Sequence, residues 1–280
     1  MKIFCEISLK KFEVDLSSPI DLSIPLLFGG RQPNFFDVSP ASSRPLLAGD
    51  FTGDTRQGGS CNVEEYRLIA HCNGTHTECV GHIVNQQVAI NEILRDALLP
   101  ATLITVLPQA AGKTPETYHP PLESNDRLIT AKDLSNALTG FNRDFLTALI
   151  IRTLPNNAEK ELRNYSQKPA PFFTIEAMEF IADCGVQHLL VDIPSVDRAN
   201  DEGRMTVHHI FWNIAQGSHE LKNGRLSLKT ITEMIYAPDE VADGLCLINI
   251  QIPPFVTDAA PSRPLLYKII EKDEKDEKEQ

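Results

Sequence analysis

The sequence predicts a mixed α/β fold in a single domain. Three short apolar runs have the composition of buried strands: residues 101–107, 148–153 and 188–193. A helical segment at residues 174–184 precedes the third run, and strands separated by helices are typical of α/β architectures. Because no repeat or linker interrupts residues 1–270, we predict one domain there, with a mixed sheet core flanked by helices. The charged residues 271–280 predict a disordered tail.

The first third of the chain predicts strands and one long loop. We expect an opening strand at Lys2–Ile7 that continues over residues 12–17. Residues 18–59 are rich in Pro, Gly, Ser and Asp, which predicts a long ordered loop containing a hairpin. Loops of this length often border binding sites. Residues 63–70 resemble a strand that leads into the most informative segment of the chain.

Helix-capping residues mark the later elements. Thr130 is a predicted N-cap, with Asp133 three residues further on. Thr174 is the predicted N-cap of the helix that follows it, and Gly185 is its predicted C-cap. We expect a further helix to begin at residue 206. The late alternation in L-C-L-I-N-I-Q-I, residues 245–252, predicts a strand packed on one face.

Charge and composition exclude several classes of partner. The net charge of −12, from 38 acidic and 26 basic residues, argues against nucleic acid and anionic membrane surfaces, which require clustered Lys and Arg. No apolar run approaches the ~20 residues of a membrane span, and the first residues do not resemble a secretory signal. The six cysteines form no CxxC pair, so reduced thiols and a cytoplasmic location are expected.

Residues 70–83, A-H-C-N-G-T-H-T-E-C-V-G-H-I, concentrate the side-chain types that bind zinc and similar metals. Thr and Val favour an extended backbone, in which side chains alternate between the two faces. An extended segment would place four metal-type side chains on one face: Cys72, His76, Glu78 and His82. A helix would rotate the last of these away from the others. The segment therefore predicts a metal site on a strand edge.

The same segment resembles the metal motif of the cyclase family, which includes bacterial-type kynurenine formamidases and isatin hydrolases. The family pattern is H-x-G-T-H-x-D-x-P-x-H, and residues 74–76 and 82 match it. Glu78 stands in place of the Asp, which keeps the charge, and Val80 replaces the Pro. Cys72 replaces the first His and is itself a good zinc ligand. The adjacent His71 could take that position only if the backbone shifted.

Further similarities extend from about residue 15 to residue 252. V-D-L-S at residues 14–17, L-I-I-R-T at 149–153 and V-D-I-P-S-V-D at 191–197 resemble family segments. In the family a later His and then a Glu complete the metal site. His208 fits the His. Glu233 and Glu220 both fit the Glu, and Glu233 is favoured by its local context.

The resemblance implies a metal-dependent hydrolase that cleaves an amide bond of the formamide, lactam or cyclic imide type in a small molecule. It implies a swivelling β/β/α fold assembled as dimers or higher oligomers. The implied metal ligands are Cys72, His76, Glu78, His208 and Glu233. Zinc is favoured over manganese because of the thiolate. His82 takes the family's role of general acid/base, and Asp192 and Asp197 are candidate partners for the ligand imidazoles.

Two other functions are compatible with these residue types. A metal-free cysteine hydrolase would use Cys72 or Cys79 as the nucleophile and His76 or His82 as the base. The second alternative is a catalytically silent metal-binding protein. A thiolate ligand can complete the coordination of a zinc ion, so that no position remains for water or substrate. Chelation, alkylation and a substrate panel would distinguish the three.

Overall fold

The computed structural model describes residues 1–272 and contains a large mixed sheet flanked by helices, which confirms the predicted α/β class. The predicted disordered tail, residues 271–280, lies mostly outside the described residues. Its first two residues belong to the last strand, where Glu271 pairs with Phe12, so the described order extends past the predicted boundary. Within residues 1–272 no helix is both long and apolar enough to cross a membrane.

The described strands are β1 (Lys2–Ile7), β2 (Lys10–Asp15), β3 (Ile20–Asp21), β4 (Ser42–Pro45), β5 (Leu47–Ala48), β6 (Phe51–Thr52), β7 (Glu64–Arg67), β8 (His76–Cys79), β9 (Leu99–Val106), β10 (Gln109–Ala110), β11 (Arg127–Ile129), β12 (Ala148–Thr153), β13 (Phe172–Phe173), β14 (His188–Val191), β15 (Thr230–Glu233), β16 (Gly244–Gln251), β17 (Ala259–Pro261) and β18 (Arg263–Lys272). The α-helices are α1 (Ala70–Asn73), α2 (Ile90–Ile93), α3 (Ala131–Ala137), α4 (Ile175–Asp183) and α5 (Thr206–Trp212). The long loop at residues 18–59 thus contains short strands, including the hairpin β5–β6.

The main sheet has the order β1-β2-β18-β16-β9-β12-β14-β15-β8-β17, with β3 also paired to β18. Its centre is parallel: Ile150 on β12 lies beside Leu103 on one side and Leu190 on the other. Every residue of β12 is buried, as expected for a parallel strand covered on both faces. The antiparallel strands β8 and β17 complete the edge next to β15. This edge carries the polar cluster described below.

The predicted helix caps are confirmed. The Thr130 hydroxyl accepts a hydrogen bond from the Asp133 amide, and the Thr174 hydroxyl accepts one from the Ala177 amide. Gly185 follows α4 with φ +82°, the left-handed conformation that suits glycine at a helix C-terminus. Helix α4 packs between α3 and α5.

The prediction that residues 70–83 are extended throughout is wrong at both ends. Residues 70–73 form the short helix α1, in which the Asn73 side chain accepts a hydrogen bond from the Ile69 amide at 2.7 Å. This local side-chain bond competes with strand pairing. Val80–His82 form a 3₁₀ turn, so only β8 is extended. The helix rotates the side chains that precede Gly74 relative to the pattern expected from alternation.

Candidate metal centre

Strand β8 places His76 and Glu78 on the same face of the sheet edge. In the antiparallel register His76 lies opposite Glu233 on β15. The intervening Thr77 faces the other way and its hydroxyl shares a hydrogen bond with Thr232 at 2.8 Å. The His76 and Glu78 side chains are completely or almost completely buried. The alternation that the sequence predicts therefore holds within this strand.

Glu233 is held at the end of β15 by a strained turn. The next residue, Met234, has φ +53°, which is uncommon for a residue with a side chain, and its amide donates to the Ile193 carbonyl. One carboxylate oxygen of Glu233 accepts a hydrogen bond from the Val196 amide at 2.8 Å. The other lies 3.4 Å from Nε2 of His76. The turn thus directs the carboxylate toward the imidazole.

His208 enters from the first turn of α5 and is oriented by Asp197. The Asp197 carboxylate accepts hydrogen bonds from the Val207 and His208 amides, which would otherwise be unpaired at the helix N-terminus. It also accepts from Nδ1 of His208 at 2.5 Å. Asp197 is therefore confirmed as an imidazole partner. Asp192 is not, because it binds Thr153 and Lys160 instead.

Two imidazoles present a ring nitrogen to buried carboxylates. Nδ1 of His76 donates to the Gly74 carbonyl at 3.0 Å, and Nδ1 of His208 donates to Asp197. In the neutral form of each ring, the lone pair is therefore on Nε2. Nε2 of His208 lies 3.0 Å from Glu78 Oε1 and 3.9 Å from Glu233 Oε1. Among the described residues, His76 Nε2 and Glu78 Oε2 have no hydrogen-bond partner of acceptable geometry. These orphaned buried atoms fit a bound cation.

A second pair of imidazoles stacks beside Glu78. The rings of His71 and His82 lie 4.2 Å apart at an interplanar angle of 26°. Nδ1 of His71 is 3.0 Å from Glu78 Oε2, and its Nε2 is 3.0 Å from Asp258. His82 faces the same two carboxylates at 3.8 Å and 3.4 Å. Asp258 is the residue immediately before β17, so the pairing of β17 with β8 brings it to this cluster.

The charges of the cluster are mutually dependent. Burial opposes the ionisation of Glu78, but His82 and His208 hold the pKa of its carboxyl well below the usual range. Burial also opposes the charging of His71, yet Asp258 and Glu78 raise its pKa to about 10. In the same way Asp197 and Glu78 raise the pKa of His208 against the effect of burial. The buried carboxylates are therefore stable in their charged form only beside positive charge, which protonated imidazoles or a metal ion can provide.

The structure brings together most of the predicted site. Three sets of side chains have ligand atoms within 4.8 Å of one another: His71, His76 and Glu78; His71, His82 and Asp258; and Glu78, His82 and His208. Glu233 contacts two of these imidazoles. Glu220 is exposed and accepts hydrogen bonds from the Asn85 and Gln86 side chains. The geometry thus favours Glu233 over Glu220.

Cys72 belongs to none of these sets of described residues. It packs in a small apolar cluster with Phe35, Tyr165 and Met234. Burial raises the pKa of its thiol, and the nearby Glu233 carboxylate raises it further. The adjacent His71 instead contacts Glu78 in the cluster. The helical backbone of α1 is the shift that His71 needs to take the position of the family's first His.

The cysteine-nucleophile alternative finds little geometric support. Cys79 is completely buried, its thiol donates to the Val88 carbonyl at 3.6 Å, and burial raises its pKa to about 12. A thiol with this pKa is almost entirely protonated at neutral pH and is a poor nucleophile. No hydrogen bond joins Cys72 or Cys79 to an imidazole within residues 1–272.

Asp258 belongs to the candidate site, but the sequence analysis did not identify it. It lies far beyond His82 along the chain, in a polar connection with no recognisable ligand spacing. Only the pairing of β17 with β8 brings it beside the two stacked imidazoles, which lower the pKa of its carboxyl. A His-rich segment predicts that carboxylates lie nearby, but it cannot indicate which distant carboxylate is involved.

Together the sheet edge, the His- and Glu-lined cluster and the capped helix define an α/β protein with a candidate metal centre. The Cyclase family model, described as a putative cyclase, matches residues 14–198, and the chain belongs to this family. The chain is 24% identical to a kynurenine formamidase of Bacillus cereus over 258 residues, which cover 91% of this chain and 97% of that protein.

Solved structures share the fold at low identity. A structure described as "predicted metal-dependent hydrolase from Bacillus stearothermophilus" has a TM-score of 0.56 at 16% identity, covering 89% of this chain and 98% of that one. Isatin hydrolase A from Labrenzia aggregata has a TM-score of 0.53 at 13% identity, covering 89% and 93%. These likenesses agree with the mixed sheet and flanking helices described above.

Proposed function

We propose that this protein is a metal-dependent hydrolase of a small-molecule amide, of the formamide, lactam or cyclic imide type. The observation that carries the proposal is the pair of buried imidazoles, His76 and His208, whose Nε2 atoms face Glu78 and Glu233. A kynurenine formamidase and isatin hydrolases among the relatives support the choice of bond. The neighbour described as a metal-dependent hydrolase supports the metal requirement.

Five residues are proposed to hold one or two divalent ions, with Glu78 at the centre of the set: His71, His76, Glu78, His208 and Glu233. Zinc is the proposed metal and manganese the alternative, because imidazole and carboxylate ligands suit both. Such an ion would polarise the scissile carbonyl and lower the pKa of a water molecule toward neutrality. Cys72 remains a predicted ligand from its place in the family pattern, but the ring contacts favour His71 for that position.

His82 is proposed to move the proton between the attacking water and the leaving nitrogen. Its side chain is 27% exposed, as is that of His71, whereas His76 and His208 are at most 1% exposed. Because His71 is proposed as a metal ligand, His82 is the accessible imidazole that remains for proton transfer. Asp258, 3.4 Å from Nδ1, would hold the ring so that Nε2 faces Glu78 and the reacting atoms. Hydrogen bonding of one ring nitrogen to a carboxylate fixes both the orientation and the tautomer.

Replacing His82 with Ala should lower kcat for a responsive amide by about 10³-fold, which is within the usual contribution of a positioned acid/base. Bound metal should be retained, because the other imidazole contacts of Glu78 and Glu233 do not involve His82. The test is steady-state hydrolysis of N-formylkynurenine, isatin and simple N-aryl formamides, together with the metal content of the same preparations.

Asp258→Asn is the matched variant, since it keeps the shape of the side chain that touches His82. It should lower kcat by about 10- to 100-fold, less than loss of the imidazole itself. Unchanged turnover in His82→Ala would contradict the assigned role. If the metal-loaded wild-type protein hydrolyses none of these amides, the silent metal-binding function takes the place of the hydrolase.

Assembly and location form the rest of the proposal. A homo-oligomer is proposed from the family resemblance, and a cytoplasmic location from the free cysteines in the described residues, Cys61 among them at the surface. Sedimentation of the purified protein tests the first, and fractionation of cells tests the second.

A further inference from the structure

A short segment between β10 and β11 is anchored at the N-terminal ends of two helices. The Glu116 carboxylate accepts a hydrogen bond from the Ala131 amide at 2.8 Å, at the start of α3. The Thr117 carbonyl accepts one from the Ile175 amide at 2.9 Å, at the start of α4. These contacts satisfy amide groups that a helix leaves unpaired in its first turn. The backbone is therefore held on both sides of the sequence position that precedes Tyr118.

Tyr118, the next residue, joins this segment to Asp197. Its side chain is 2% exposed, and its hydroxyl donates to Asp197 Oδ1 at 2.5 Å and accepts from the Arg198 amide at 3.1 Å. The ring packs edge-on against Phe172, with the ring centres 4.8 Å apart. Burial and the adjacent Asp197 carboxylate raise the pKa of the Tyr118 hydroxyl. The hydroxyl therefore keeps its proton at neutral pH and remains a donor.

Asp197 receives hydrogen bonds on both of its oxygens. The Tyr118 hydroxyl and the Val207 amide donate to Oδ1, at 2.5 and 3.0 Å. The amide and Nδ1 of His208 donate to Oδ2, at 3.1 and 2.5 Å. These donors match the about four lone-pair positions of a carboxylate. Because Asp197 is 3% exposed, loss of one donor would leave a buried lone pair without a partner.

We propose that Tyr118 is a positioning residue for the metal centre and acts through Asp197 on His208. This inference rests on the proposed metal-dependent function. The Tyr118 hydroxyl fixes the rotation of the Asp197 carboxylate, and the other carboxylate oxygen orients the His208 ring. Nε2 of His208, 3.0 Å from Glu78 Oε1, is thereby held toward the buried carboxylates. The partners of a ligand imidazole influence metal affinity because they fix the orientation and basicity of the ring.

Tyr165 provides a matched comparison for the role of the hydroxyl. It is also 2% exposed, and it packs against Cys72 and Met234, which are sequence neighbours of His71 and Glu233. Its hydroxyl, however, has no hydrogen-bond partner among the described residues. Tyr118 and Tyr165 therefore differ in what the hydroxyl contacts and not in how deeply the side chain is buried.

The test compares Co²⁺ binding by the wild type and by Tyr118→Phe, after metal has been removed from both with a chelator. Phenylalanine keeps the ring that packs against Phe172, so the variant should fold, which circular dichroism checks. Its dissociation constant for Co²⁺, measured by chelator competition, should rise by about tenfold, the lower end of the usual effect of losing a partner of a metal ligand. The visible absorption bands of bound Co²⁺ should also shift, because they depend on ligand geometry.

Tyr165→Phe is the control and should match the wild type in both Co²⁺ affinity and absorption spectrum. Wild-type affinity together with a wild-type spectrum in Tyr118→Phe would overturn the proposal. An equal loss of affinity in Tyr165→Phe would also overturn it, because the effect would then come from removing any buried hydroxyl. If the wild type itself binds no Co²⁺, the metal centre and this inference both fail, and measurements on the wild type alone identify that outcome.

Discussion

Replacing Glu78 with Gln is expected to abolish hydrolysis and to release the bound metal. Glu78 touches three imidazoles of the cluster, with contacts of 3.0 Å to both His208 and His71. Glutamine keeps the shape of the side chain but removes the negative charge that attracts a cation. Loss of metal assistance removes several kcal/mol of transition-state stabilisation, so kcat/KM should fall by about 10⁴-fold or more.

Glu220→Gln is the matched control for this change. Glu220 satisfies the usual family spacing after His208, but it is exposed and bound to Asn85 and Gln86. Its replacement should leave metal content and kcat/KM within about twofold of the wild type, as is usual for a surface substitution. A loss of activity in Glu220→Gln that equals the loss in Glu78→Gln would contradict the assignment of Glu233 to the centre.

The second large effect concerns stability. Lys160 is 2% exposed, and its ammonium group donates to Asp192 at 2.6 Å and to the Thr153 carbonyl at 2.6 Å. Lys160→Met would leave Asp192, itself 1% exposed, as a buried charge without its cation. Breaking a buried pair in this way costs about 3–5 kcal/mol in the free energy of unfolding. Urea unfolding followed by circular dichroism measures that loss.

Two further variants test whether the loss comes from the unpaired charge. In Lys160→Met with Asp192→Asn, both charges are absent, so the double variant should be more stable than Lys160→Met alone. Lys132→Met removes an exposed lysine on α3 and should change the free energy of unfolding by less than about 0.5 kcal/mol. If the exposed and buried replacements cost the same, the buried pair does not stabilise the fold.

Local sequence signals predicted much of this architecture. The apolar run that became β12 is buried along its whole length, and the caps at Thr130 and Thr174 begin helices where expected. Burial periodicity and capping depend on neighbouring residues, so a sequence can reveal them. The order of strands in the sheet depends on long-range pairing, for which the sequence carries no such local signal.

At the site, too, the features set by local sequence could be predicted, whereas those set by long-range pairing could not. His76 and Glu78 share a face because they are two residues apart on a real strand, as alternation requires. Cys72 was expected on that face, but the hydrogen bond to the Asn73 side chain closes a helical turn and brings His71 to the cluster instead. Asp258 reaches the site through the β17–β8 pairing, a contact across most of the chain.

The most direct test of the central claim is the metal content of protein purified without a metal-affinity tag, measured by inductively coupled plasma mass spectrometry. The wild type should carry about one or two zinc or manganese ions per chain, as in other metal hydrolases. His71→Ala should lower this content, whereas Cys72→Ala should retain it. Folded wild-type protein with no metal, yet with full hydrolytic activity, would contradict the account.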